Sequence, residues 1–191
     1  MNILSFLLYT FLVTVTPGPT NIDILNTIKH RGTAAGIKYT YGAVIAIFLL
    51  LIISTMLNMM LSQFIPSILL VMKIIGTGYM LYLVYTIFKS QQDSQFHKNT
   101  GTFRAGFNLQ FLNPKVITFS LTVMPTFILN SYHSIYIIYT FVIIITGIGF
   151  FSLSIWVLCG TLLQRFLQNH DLLVKCTMAI FLIYAAIIIW I

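Results

Sequence analysis

The sequence predicts an all-α integral membrane protein with six transmembrane helices as two inverted three-helix repeats, the first and fourth helices broken at the membrane midplane. Three observations point there. Of the 191 residues 59% are hydrophobic and only 7% charged, Glu is absent and mean hydropathy is +0.97, whereas a soluble domain keeps far more charge on its surface. Apolar runs of about twenty residues, enough to cross roughly 30 Å of hydrocarbon, recur six times along the chain. Finally, two proline motifs, Thr16-Pro17-Gly18-Pro19-Thr20-Asn21 and Leu112-Asn113-Pro114-Lys115, interrupt the first and fourth of those runs.

The runs lie near residues 2–28, 39–62, 67–88, 104–129, 134–158 and 172–191. Met1 to Thr16 is apolar but has no basic start and no small-x-small site after it, so it reads as part of the first span and not as a cleaved leader. The stretch from Tyr39 to Met72 splits into two helices at Ser62-Gln63-Phe64-Ile65-Pro66, a polar turn closed by proline. Asn130-Ser131-Tyr132-His133-Ser134 divides the fourth run from the fifth in the same way. The whole chain, 1–191, is a single transmembrane domain whose halves, about 1–88 and 104–191, are joined by a cytoplasmic loop at 89–103.

Charge sets the orientation. Lys29, Arg31 and Lys38 fall in the first loop, Lys89, Lys98 and Arg104 around the third, and Arg165 and Lys175 around the fifth, while the second and fourth loops carry no Lys or Arg. Cations are retained on the cytoplasmic side, which places loops one, three and five inside and both termini outside. Three helices before the long loop and three after it must then run in opposite directions. A weak internal match supports the repeat: Val71-Met72-Lys73 with Tyr79 and Tyr82 corresponds, at an offset of 102 and with Met72 paired to Val174, to Val174-Lys175 with Phe181 and Tyr184.

Each proline removes a backbone donor and clashes with the preceding turn, so each motif breaks its helix where broken backbone is tolerated only around a polar cavity. Gly18 then Pro19, and Asn113 then Pro114, fit as N-cap followed by first helical residue. About eleven residues separate Gly18 from Lys29 and about ten separate Asn113 from Arg104, so at 1.5 Å per residue both restarts lie about 15 Å deep. Two half-helix N-termini meeting there would present unpaired N–H groups and positive dipole ends to a carboxylate. The candidate substrate-binding residues are therefore Pro17, Gly18, Pro19, Thr20, Asn21, Asn113, Pro114 and Lys115.

Asp23 and Lys115 would each cost roughly 2.5 to 3.5 kcal/mol in a membrane segment, which suggests function. Lys115 can hold a carboxylate or neutralise Asp23, and Asp23 can receive a substrate ammonium or carry a proton. Lys73 is close enough to its helix end to snorkel. Gly32, Ala35, Gly36, Gly42, Gly76 and Gly78 read as sites of close helix contact.

Other function classes fit poorly. The formal charge of +7 is dispersed over short loops, without the clustered basic face that nucleic acid requires. His30, His97, His133 and His170 lack metal-site spacing, and a metal-cation exporter would need several inward carboxylates where only Asp23 qualifies. Cys159 and Cys176 lack CxxC spacing and read as small core residues, against a membrane thiol-disulfide protein. No motif calls for a cofactor or for enzymatic chemistry.

These motifs resemble the LysE/RhtB family of small bacterial amino-acid exporters. Its T-P-G-P opening is matched from Thr16 to Asn21, its basic stretch and G-x-x-A-G entry by His30-Arg31-Gly32-Thr33-Ala34-Ala35-Gly36, and its F-x-x-G-F to N-P-K pattern by Phe103 through Lys115. The third helix, from Lys73 through Gly76 and Tyr79 to Tyr82, is similar to the family's K-x-x-G-x-x-Y-L pattern. The resemblance implies export of an amino acid or close derivative across the bacterial cytoplasmic membrane, driven by the proton motive force, by a protein that forms dimers. Thr20 stands where Asn or Asp often follows the P-G-P, which bears on substrate preference and on the proton-carrying group.

Overall fold

The computed structural model describes residues 3–61, 65–89 and 101–188. Every regular element in them is helical: α1 (Ile3–Val15), α2 (Pro19–Arg31), α3 (Thr33–Leu61), α4 (Ile65–Lys89), α5 (Phe103–Leu112), α6 (Pro114–Val123) running on as a π-helical turn (Met124–Leu129), α7 (Ile135–Leu162), the short α8 (Gln164–Asn169) and α9 (Asp171–Ile188). Two helices, Thr33–Met60 and Ile135–Leu162, are each long and apolar enough to cross a membrane, and the count rises to four if each bent pair is one span. α1 and α2 bend by 46° at their junction, and α5 and the helix from Pro114 to Leu129 bend by 66° at theirs. Both expected breaks are present.

Element boundaries depart from the apolar runs in three places. α3 begins at Thr33, six residues before the run at Tyr39, because a helix continues past the hydrocarbon wherever its backbone bonds are unbroken. The loop expected around Lys29, Arg31 and Lys38 accordingly shrinks to Gly32, whose φ of 79° ends α2 while its N–H donates to the Ile28 carbonyl. The third departure is the π-helical turn at Met124–Leu129, which contains Pro125; a residue without an N–H forces the ladder to widen there. The polar turn through Asn130 and Ser131 falls where expected. Ser62 to Phe64 and most of the 89–103 connection, including His97 and Lys98, lie outside the described residues, as does the side chain of Lys73.

Lys29, His30 and Arg31 in the last turn of α2, Arg104 at the start of α5 and Arg165 in α8 lie on elements that meet at one end of the bundle. There the Gln164 amide donates to the Ile28 carbonyl over 3.1 Å, Thr33 and Thr161 share a hydroxyl hydrogen bond of 3.0 Å, and Gly101 lies against Thr27, Ala35 and Arg31. At the opposite end Phe6 packs edge-on to Phe127 and Phe141, with ring centroids 5.8 and 5.4 Å away. α1 thus starts at the aromatic end and α2 finishes at the basic end, while α5 starts at the basic end and the π-helical turn finishes at the aromatic one. The two bent helices run antiparallel.

Packing follows from small residues. A Cβ on Gly42 would sit 2.0 Å from the Phe103 carbonyl oxygen, and one on Gly106 2.0 Å from that of Tyr39, so α3 and α5 touch backbone to backbone. Gly36 similarly admits Ile28, whereas Gly78 faces open space, so only the first of these supports the expectation of close contact. α1 and α2 pack against α7, α5 and α6 against α3, α3 against α7, and α4 against α9. The larger core is centred on Ile24, Ile28, Tyr39, Leu51, Val123 and Val142. Cys159 and Cys176 are free and on the outer surface, which corrects their placement in the core: on a helix with apolar residues all round, residue type does not say which side faces lipid.

Candidate functional site

Gly18 is extended (φ −164°, ψ −178°) and caps α2 by position alone, with no side-chain hydrogen bond, and Pro19 takes the first helical position. The Ile22 N–H returns to the Gly18 carbonyl over 3.0 Å. Helix geometry leaves the amides of Thr20 and Asn21 without an intrahelical acceptor. α6 begins differently. The Asn113 side chain accepts from the Lys115 N–H at 3.1 Å, its carbonyl accepts from Val116 and Ile117, and Pro114 follows it. The two restarts were expected to offer bare amides alike, but only α2 does so, because Asn113 has a side chain that reaches back and Gly18 has none.

The two breaks touch. Asn113 Nδ2 donates to Thr20 Oγ1 at 2.8 Å, Thr20 Oγ1 donates to Gln110 Oε1 at 3.0 Å, and Gln110 Nε2 donates to the Gly106 carbonyl at 3.1 Å. Thr20, Gln110 and Asn113 are all fully buried, and a buried polar chain whose members are all paired fixes the relative position of the helices that carry it. The carbonyls freed at the end of α1 are also met. Asn21 Nδ2 donates to Thr16 O at 3.1 Å, Trp156 Nε1 donates to Val15 O at 3.0 Å, and Lys115 Nζ donates to Thr16 O. Lys115 crosses over Gly18, where a Cβ would lie 3.1 Å from its Cδ and 3.5 Å from its Nζ.

Two chambers adjoin Lys115. The smaller, about 40 Å³, is lined by Gly18, Thr20, Asn21, Gln110, Asn113 and Lys115 on its polar side, with Val13, Ile47, Phe119 and Leu153 opposite. The larger, about 370 Å³, is lined by Tyr9, Thr16, Pro17, Thr118, Thr122 and Tyr184 together with Met80, and it shares Lys115, Val13 and Phe119 with the first. The structure therefore brings Gly18, Thr20, Asn21, Asn113 and Lys115 around one space and sets Pro17 on the other. Pro19 and Pro114 are buried as first helical residues and line neither, so they shape the helix starts without facing a ligand.

Asp23 takes a different partner from the one considered for it. Its Oδ2 accepts from the Tyr39 hydroxyl at 3.2 Å, while Lys115 is turned to the Thr16 carbonyl, and Asp23 lines neither chamber. Gln110, Trp156 and the hydrogen-bonded Thr14 and Ser152 pair, 2.8 Å apart, were not anticipated. Gln110 carried a signal, being an amide one turn before Asn113 in an apolar run. Trp156 carried none, because the carbonyl it serves becomes a target only when α7 packs against the end of α1.

The family model for the LysE type translocator matches residues 11–191. The chain is 27% identical over 188 residues to a cysteine/O-acetylserine efflux protein of Salmonella typhi, covering 98% of this chain and 96% of that one. It is 28% identical over 190 residues to the protein of the same name from Klebsiella pneumoniae subsp. pneumoniae, with 96% and 94% covered. It is also 25% identical over 184 residues to that of Escherichia coli O139:H28, with the same coverage. No solved structure matches the chain.

Proposed function

This chain belongs to the LysE type translocator family, and from that membership we propose that it is a secondary active exporter of a small neutral amino acid of the cysteine and O-acetylserine kind, coupled to the proton motive force. The observation that carries this reading is the meeting of two antiparallel broken helices at a buried space. There the uncapped start of α2 and the Lys115 ammonium face the same few ångströms. A carboxylate set there accepts from the Thr20 and Asn21 amides and from Lys115, drawing on the helix dipole as well as on a full charge. Asp23, held by Tyr39 on the basic side of the breaks, is the proton site in this reading, since it stands off the chambers and cannot also receive the substrate ammonium.

Six spans as two inverted three-helix units over 1–191 remain our architecture, with α4 and α9 as the third and sixth. Exchanging the halves turns the contact of the first bent helix with α7 into that of the second with α3, and maps the α3 with α7 and α4 with α9 contacts onto themselves. The basic end faces the cytoplasm by the positive-inside rule, with both termini outside a bacterial cell membrane. A homodimer completes the reading and is tested by the particle mass in nanodiscs.

Counterflow of radiolabelled cysteine and O-acetylserine in proteoliposomes tests the function. Wild-type protein exchanges both, and Lys115→Met, which keeps the apolar stem but removes the charge, lowers exchange at least tenfold with the protein still inserted. Unchanged exchange by Lys115→Met rejects the carboxylate site, and no exchange of any amino acid by the wild type rejects the exporter.

A further inference from the structure

We propose that the larger chamber is the side-chain pocket of the transporter and that Thr118 is the residue that reads the substrate in it, favouring a small uncharged side chain that can accept a hydrogen bond. The inference rests on the carboxylate placement above and adds to it the choice of substrate. The smaller chamber, at about 40 Å³, has room for a carboxylate but not for a whole amino acid. The larger, at about 370 Å³, falls in the range of small-molecule sites. Lys115 stands in the wall of both, so one molecule can be held by its carboxylate in the first and extend its side chain into the second.

The lining decides what that side chain can be. Among the described residues no carboxylate lines the larger chamber and Lys115 does, so a cationic side chain would meet a like charge in a low-dielectric site without compensation. Hydroxyls supply the polarity, and they are not equivalent. Thr122 Oγ1 is committed to its own helix, donating to the Thr118 carbonyl at 2.7 Å and more weakly to Phe119. Thr118 Oγ1 is buried and has no hydrogen-bond partner among the described residues. A buried hydroxyl left unmatched is unfavourable until something accepts from it; Thr118 lines the chamber through its other atoms, so a turn about χ1 is what brings its Oγ1 to a substrate there. An ester carbonyl or a hydroxyl on the substrate fills that role, and an alkyl side chain of equal length does not.

The test compares substrates within one protein, so that altered folding cancels. Counterflow is measured for O-acetylserine, serine, 2-aminobutyrate and lysine with wild type, Thr118→Val and Thr122→Val in proteoliposomes. In the wild type the polar neutral substrates exchange ahead of 2-aminobutyrate, and lysine does not exchange. Thr118→Val lowers the ratio of O-acetylserine to 2-aminobutyrate by about tenfold, the equivalent of ~1.4 kcal/mol, while Thr122→Val leaves that ratio unchanged. A Thr118→Val protein that still exchanges amino acids at the wild-type ratio overturns the proposal, as does a wild type that exchanges lysine as well as serine. A wild type with no exchange at all overturns the exporter reading instead, which separates the two failures.

Discussion

At the scale of single residues the site depends on Asn113, which does two jobs with one amide group. Its oxygen caps α6 through the Lys115 N–H, and its nitrogen ties α6 to α2 through Thr20. Asn113→Ala removes both, at an expected cost of about 0.5–2 kcal/mol for the cap alone, and a thermal melt in detergent should show the loss. Asn113→Asp keeps the capping acceptor but sets a fixed anion in the proposed carboxylate site. Losing the nitrogen that donates to Thr20, it should melt below wild type, and counterflow should fall at least tenfold; full transport by Asn113→Asp would mean that no anion visits this space. Thr20, Asn21, Asn113 and Lys115 were legible in the sequence because polar residues stand out in apolar runs beside prolines. The partners of Asp23 and Lys115 were not, because Tyr39 lies on another helix and the Thr16 carbonyl is a backbone group that no residue type announces.

Among the elements, the breaks were readable from proline chemistry alone, since a missing N–H acts locally. The tight seam between α3 and α5 was half readable: Gly42 and Gly106 are visible in the sequence, but that each faces the other helix's backbone is a property of the packed pair. Gly42→Ala and Gly106→Ala each force the helices apart, because the added carbon would lie 2.0 Å from a carbonyl oxygen that has no flexible side chain to yield. Both should lower the yield of monodisperse protein on size exclusion and the melting temperature. Gly78→Ala and Gly147→Ala, which meet nothing within 4 Å, are the matched controls and should behave as wild type. Equal behaviour of all four would mean that α3 and α5 are not in backbone contact. The π-helical turn at Pro125 and the early start of α3 escaped the sequence reading for one reason, that hydropathy marks where lipid is and not where the hydrogen-bond ladder begins or widens.

Over the whole molecule the two ends are unlike. Toward the basic end Ile24 and Ile28 are fully buried, and Gly36 and Gly160 let neighbouring helices close onto Ile28, so no chamber opens there among those described. Toward the aromatic end lie Tyr9, Thr118 and Thr122, placed there by the direction of α1 and α6, and with them the larger chamber. In the orientation proposed above, with the basic end in the cytoplasm, the larger chamber would lie toward the outer side. In the inverted-repeat architecture proposed above, an alternative state would be reached by rocking one half against the other around the Asn113 and Thr20 tie. Cys159 and Cys176 are free and exposed, so labelling begins from a protein with both replaced by serine. In intact cells a membrane-impermeant maleimide added outside should then label Thr122→Cys, and saturating O-acetylserine should slow the reaction by filling the chamber. Thr40→Cys, at a buried position on the basic side of α3, should stay unlabelled in the same cells. Labelling of Thr40→Cys without Thr122→Cys would invert the assignment of the two ends, and with it the direction in which the pocket delivers its cargo.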